Sequence, residues 1–118
     1  MSRIRLYCDE DAMHETLLVA LRARRVDAVT ALECSMVNRS DEEHLVCSSD
    51  VGRALYSYNV RDFAALHAQW VAAGREHGGM ILAVQQLGEQ LRRLLQIVNR
   101  RPAEGMRSRI EYLSSWGG

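Results

Sequence analysis

Short apolar runs alternate with longer amphipathic segments along the whole chain, and that alternation leaves few folds open. Residues 4–8, 26–30, 54–58 and 79–84 read as strands. The segments between them carry apolar residues at helical spacing. Residues 11–24 place Met13, Leu17, Ala20 and Leu21 on one side. Ser40 opens a helix reaching about Val51. Residues 61–73 show Phe63, Leu66 and Trp70 on one side and stop at Gly74. Residues 87–100 carry the stripe Leu87, Leu91, Leu94, Leu95 and Val98. Strand–helix alternation implies βαβ units with right-handed crossovers, and so an α/β fold. The expected architecture is a three-layer α/β/α sandwich around a mainly parallel central sheet. The run at 79–84 is the most apolar and should be buried on both faces. Residues 31–39 read as irregular, and residues 103–113 as a last short helix or an edge segment. Arg3 and Arg5 alternate with Ile4 and Leu6, which suits a half-exposed first strand or an altered strand order.

A chain of 118 residues is long enough for one core, so a single domain over 1–118 is expected. Fifteen basic residues balance fifteen acidic ones, which gives no bulk attraction for nucleic acid; any such contact needs a local patch. All the bases are arginine. Without a lysine the chain has no phosphate-loop NTPase chemistry and no Schiff-base chemistry. Cys8, Cys34 and Cys47 are odd in number and lack CxxC spacing, the pattern of reduced thiols. Cys34, His44 and Cys47 have no obvious fourth partner for zinc. The N-terminal run is too short for a signal peptide and no stretch approaches membrane-span length, so a cytoplasmic protein without membrane contact is expected.

Acidic residues fall where strands should hand over to helices. They are Asp9-Glu10-Asp11 after the first strand, Asp41-Glu42-Glu43 after Ser40, and Asp62 shortly after the third strand. Each has a structural explanation. Ser40 and Glu43 form an S-x-x-E capping box, and Asp11 and Asp62 suit the positive end of a helix dipole. Yet the capping box leaves Asp41 over, and Asp9 ends a strand where no cap is required. In an open parallel sheet, ligands bind outside the carboxyl ends of the strands. Carboxylates gathered there repel unless they share a cation, so an oxygen-ligated Mg²⁺ or Mn²⁺ site and phosphodiester cleavage are expected.

The segment from Ser40-Asp41-Glu42-Glu43-His44-Leu45 to Ser57-Tyr58-Asn59-Val60-Arg61-Asp62-Phe63 resembles the PIN domain pattern, which closes in T-x-N-x-x-D-F. Leu6-Tyr7-Cys8-Asp9-Glu10-Asp11 resembles the L-x-x-D-E-[DN] opening of short PIN-like proteins of unknown function, and Gly78-Gly79-Met80-Ile81 their glycine-led strand. The resemblance spans roughly residues 3–99. It implies a metal-dependent ribonuclease fold shared with the VapC toxins of toxin–antitoxin pairs. Asp9 matches the first-strand metal ligand, Asp41 the helix-opening acid, and Asp62 the last ligand. Asn59 would orient Asp62 or a water, and Ser57 stands where the family has Thr. The toxins carry a further Glu ahead of the Asp41 position. Here residues 31–39 hold only Glu33, so Glu10, Asp11, Glu42 and Glu33 are the candidate substitutes.

The expected function is therefore a Mg²⁺- or Mn²⁺-dependent endoribonuclease, with Asp9, Asp41 and Asp62 as metal ligands and Asn59 as their catalytic companion. RNA is the expected substrate, a small antitoxin the expected partner, and a homodimer fits the family's habit. The alternative is a degenerate PIN-like module that binds RNA or a protein without cutting it. A receiver domain is disfavoured by the missing lysine and by the lack of an Asp ending the third strand. Arg92, Arg93 and Arg100 form a candidate RNA-binding face on the last long helix, against the simpler reading of a solvated face. No histidine has the fixed spacing to a Ser or Cys that a nucleophilic triad requires. Trp116, Tyr112 and Leu113 are placed to cover the core or to meet a second subunit.

Overall fold

The computed structural model describes residues 2–9, 12, 14–84 and 89–117. Five strands, β1 (Leu6–Cys8), β2 (Ala28–Thr30), β3 (Ala54–Ser57), β4 (Met80–Leu82) and β5 (Ile110–Tyr112), form one sheet in the order β2-β1-β3-β4-β5. Every adjacent pair is parallel. Four helices complete the three layers: α1 (Glu15–Ala23), α2 (Asp41–Asp50), α3 (Val60–Ala72) and α4 (Gln90–Arg100).

Strand parity sorts the core into two halves. Leu6, Cys8, Tyr56 and Ile81 point to one face and meet Leu21 of α1 with Leu94, Ile97 and Val98 of α4. Tyr7, Leu55, Met80 and Leu82 point to the other and meet Leu45 of α2 with Phe63 and Trp70 of α3. All of β4 is buried, as its continuous apolar run implied. In α4 the expected stripe packs inward, with Leu91 and Leu95 half-buried along its sides. Leu87, like Met13 of the first stripe, lies outside the described residues.

Three expectations are refined. The first strand begins at Leu6, so Arg3 and Arg5 sit in its lead-in. Their guanidinium groups reach the carbonyls of Arg25 and Val51 at 3.0 and 2.9 Å, which lets two arginines lead into a central strand. The C-terminal segment is both of the things residues 103–113 suggested: a 3-10 turn at Ala103–Met106 and then edge strand β5. Crossover handedness is not uniform. Connections β3–α3–β4 and β4–α4–β5 move the same way along the sheet, but α3 and α4 lie on opposite faces, so the two have opposite hands. The amphipathic α4 seals the face that α1 alone would leave open, and residues 101–109 supply the length for the return. Gly79 makes this return possible. It has φ 109°, and a Cβ there would lie 2.6 Å from the Met106 carbonyl oxygen.

Leu113 is fully buried and Trp116 packs beside it, so the C-terminal residues do cover the core, whereas Tyr112 is exposed. Among the described residues no helix is long and apolar enough to cross a membrane.

The entry to β4 is held by a buried histidine. His77 Nδ1 accepts the Gly79 amide at 3.0 Å, which leaves its Nε2–H to donate to His67 Nδ1 of α3 at 2.8 Å. Burial, and secondarily His67, lower the His77 pKa from 6.5 to about 4. A base with a depressed folded pKa stabilises the fold fully above the unfolded value, and this contribution is lost as pH falls from about 6.5 to about 4. Urea unfolding at stepped pH should show His77 contributing a loss on the order of 3 kcal/mol across that window. His77→Gln should flatten the parent's pH profile there by a similar amount. Parallel profiles for the two proteins would show that the imidazole does not titrate in this way.

Candidate functional site

The order β2-β1-β3 means that the chain leaves β1 in one direction along the sheet and later returns to its other side. The carboxyl edge between β1 and β3 is therefore the topological switch point, where open α/β sheets leave a crevice. Cys8 pairs with Tyr56 in register, so the next residues, Asp9 and Ser57, face each other across this edge. Both follow the parity of Tyr7 and Leu55 and turn toward the α2/α3 face.

Asp9 is buried, at 4% exposure. Its backbone N–H donates to Tyr56 O at 3.2 Å, extending the ladder, and its Oδ1 accepts the Ala12 amide at 3.2 Å. The fully buried Ser57 hydroxyl donates to Asp9 Oδ2 at 2.6 Å and accepts the Asn59 amide at 2.9 Å. Ser40 and Glu43 form the expected capping box at the start of α2, each side chain accepting the other's amide at 3.1 Å. That geometry delivers Asp41 to the same edge as the first residue of the helix.

Asn59 joins the pieces. It is the N-cap of α3, where an Asn side chain ordinarily accepts an amide of its own helix. Here it makes no such bond. Its Nδ2 donates instead to Asp41 Oδ2 at 3.1 Å and to Asp62 Oδ2 at 3.0 Å. Two carboxylate oxygens within reach of one nitrogen lie at most about 6 Å apart. Asp9, Asp41, Ser57, Asn59 and Asp62 thus belong to one polar cluster spanning β1, α2, β3 and α3.

The cluster's donors are carboxylate, amide and hydroxyl oxygens, the hard set that suits Mg²⁺ or Mn²⁺ and not a thiophilic metal. Among the described residues no group of three His, Cys, Asp or Glu side chains is already drawn together around one point. Asp41 and Asp62 flank Asn59, while the carboxylate of Asp9 is turned to Ser57. Glu10 and Asp11 lie outside the described residues. Cys8 is no rival nucleophile at this edge. Burial, and secondarily the Asp9 carboxylate, push its thiol pKa up to about 12.

The other acids and arginines singled out in the sequence sit elsewhere. Glu33 bonds Arg22 at 2.7 Å and the Thr30 amide at 3.0 Å, which hold its carboxyl below the usual range and close the turn after β2. Glu42 faces Trp70 and Arg75 of the α3 end. Arg92 donates to Gly117 O at 2.8 Å, and Arg93 to Ser114 O at 3.2 Å, so both strap the C-terminal segment to α4. Arg100 stands over the Trp116 ring at 6.0 Å. His44 is buried against the Tyr7 hydroxyl at 2.7 Å. Tyr58, His14 and Gln90, to which no motif in the sequence assigns a site, meet on the other side of the edge from the carboxylates. The available signal was an aromatic residue wedged between Ser57 and Asn59.

Ser57 gives the cluster its connectivity. Ser57→Ala should cost about 1–3 kcal/mol in urea unfolding, because a buried carboxylate oxygen and the Asn59 amide each lose their partner. Ser57→Thr keeps the hydroxyl and should retain most of that stability. Equal stability of the Ala variant and the parent would remove the hydroxyl from this role. No family model, no curated protein and no solved structure matches this chain.

Proposed function

We propose that the protein is a metal-dependent ribonuclease of PIN-like type, with Asp9, Asp41 and Asp62 as the residues that hold Mg²⁺ or Mn²⁺. The observation that carries this reading is the Asn59 bridge between Asp41 and Asp62. An N-cap residue has given up its local cap to hold two carboxylates from different helices side by side, a placement that stability alone does not call for. Asp62 is solvent-exposed and Asp41 half-buried, so the pair can be approached from outside, while buried Asp9 forms the floor.

The chain's own residues divide the work. Asp41 and Asp62 would hold the cation on the solvent side and Asp9 on the side of the sheet, while Ser57 fixes the Asp9 carboxylate. Asn59 orients the outer pair by donating to both carboxylates. The cation, when bound, supplies positive charge to a phosphodiester and makes a water more acidic. A partner antitoxin belongs to this proposal through the family resemblance alone, and a cytoplasmic setting through the free cysteines Cys8, Cys34 and Cys47.

A second reading has its own support. The described residues hold no ready group of three ligands, and Glu33 and Glu42, two of the candidate substitutes for the toxins' additional Glu, are engaged elsewhere. A module of the same fold that binds RNA or a protein without cutting it would look like this.

Cleavage separates the two. Purified protein should cut single-stranded RNA with Mn²⁺ or Mg²⁺ and stop when chelator is added. Asp62→Asn should lower the rate by about 100-fold or more while leaving RNA affinity nearly unchanged. Absence of metal-dependent cleavage across varied RNAs, with binding retained, would establish the module instead.

A further inference from the structure

We propose that the groove between the starts of α1 and α4, beside Tyr58, is a nucleobase subsite for the RNA strand whose phosphodiester meets the carboxylates. The inference rests on the ribonuclease reading and names the part of the substrate that this chain grips.

Tyr58 sits between Ser57 and Asn59 in the chain but faces the other side of the sheet edge, packed against the α1/α4 half of the core. Its ring lies 5.5 Å from that of His14, tilted by 36°, and meets Tyr56 edge-on at 5.7 Å. Both tyrosine hydroxyls donate to Gln90 Oε1, Tyr56 at 2.8 Å and Tyr58 at 2.6 Å. The Gln90 carbonyl is thereby saturated and its orientation set. Its Nε2 keeps two N–H donors with no acceptor among the described residues.

In front of this array is an open groove of about 500 Å³, lined by His14, Thr16, Leu17, Gln90 and Leu91, with Glu15 and Ala20 completing the wall. Its chemistry selects a flat heterocycle. The exposed imidazole of His14 offers a stacking face, Leu17 and Leu91 an apolar floor, and Gln90 two donors for the acceptor edge of a base. The Glu15 carboxylate repels a phosphate, so the group admitted is the base and not the backbone. A net charge of zero also leaves this protein little bulk attraction for RNA, so stacking must supply much of the grip. Tyr58, which touches His14 and Gln90 of the groove wall, is the chain neighbour of both Ser57 and Asn59 of the carboxylate cluster. A strand crossing the edge would place a base in the groove and a phosphodiester over the carboxylates.

The test uses a short single-stranded oligouridylate and the same strand with an abasic nucleotide moved through successive positions. Binding is read by fluorescence anisotropy on an Asp62→Asn background, so that the strand stays intact. An abasic nucleotide at one position should weaken binding by about tenfold. His14→Ala, at an exposed position, should weaken the complete strand similarly and erase the penalty at that position, the non-additivity of two changes to one contact. Gln90→Glu still accepts both tyrosine hydroxyls but removes the two donors and adds a negative charge. The charge should weaken the complete and abasic strands alike, so the readout is the position-dependent penalty, which should shrink. Cleavage by the parent protein together with indifference to the abasic position, or to His14→Ala and Gln90→Glu, overturns the subsite alone. The position-dependent penalty without metal-dependent cleavage overturns the ribonuclease reading and leaves the subsite standing. Failure to bind RNA overturns both.

Discussion

The hydrogen bond from the Ser57 hydroxyl to Asp9 is the constraint on which the rest of the edge depends. Two parallel strands end side by side, and their last backbone groups must be paired or reach water. Ser57 settles this by accepting the Asn59 amide while donating to Asp9, so β3 turns into α3 at a defined angle. The same turn fixes Asn59, and Asn59 fixes the spacing of Asp41 and Asp62. One hydroxyl thus transmits the register of the sheet to two helices. A threonine could do the same at this position; an alanine could not.

Electrostatics makes this edge costly in isolation. Asp41 opens α2 and Asp62 lies in the first turn of α3, so each gains from the positive end of its helix. The Asn59 amide group between them relieves part of their mutual repulsion, and Asp9 is taken out of water. On the proposed function, such an arrangement would suit a cationic guest. The opposite end of the sheet contrasts with it, since there Arg3 and Arg5 spend their guanidinium groups on backbone carbonyls of Arg25 and Val51.

Much of this was legible in the sequence because strand and helix periods are local signals. The apolar run at 79–84, the stripe of α4 and the Ser40–Glu43 capping box each announce themselves within a few residues, and each is found in place. The acidic residues could be gathered from their positions at strand ends and helix starts, since the order of elements determines which edge they share. Handedness was not legible, because the face that α4 covers depends on how much of the sheet α1 leaves exposed. Nor were the partners of Arg92 and Arg93. A cationic face on a helix looks the same in sequence whether it meets solvent, RNA or the carbonyls of a distant C-terminal segment. Glu33 is a similar case, an acid in the expected segment that the fold gives to Arg22.

The edge between β1 and β3 has two chemically distinct sides, and strand parity explains why. Residues 57 and 59 face the α2/α3 side and carry oxygen and amide groups; residue 58 faces the α1/α4 side and carries a ring. A flexible phosphodiester chain has the same alternation, charged linkages separated by flat bases. On the proposed function, the side with the carboxylates would repel the linkage unless a cation is bound, whereas the side with the rings would attract the base with little dependence on ionic strength. Binding and chemistry would then be controlled separately. The base would set where the strand sits, and the occupancy of the carboxylates would set whether the neighbouring linkage is drawn in. In a protein with no net charge and no lysine, such a division would supply orientation without a broad basic surface.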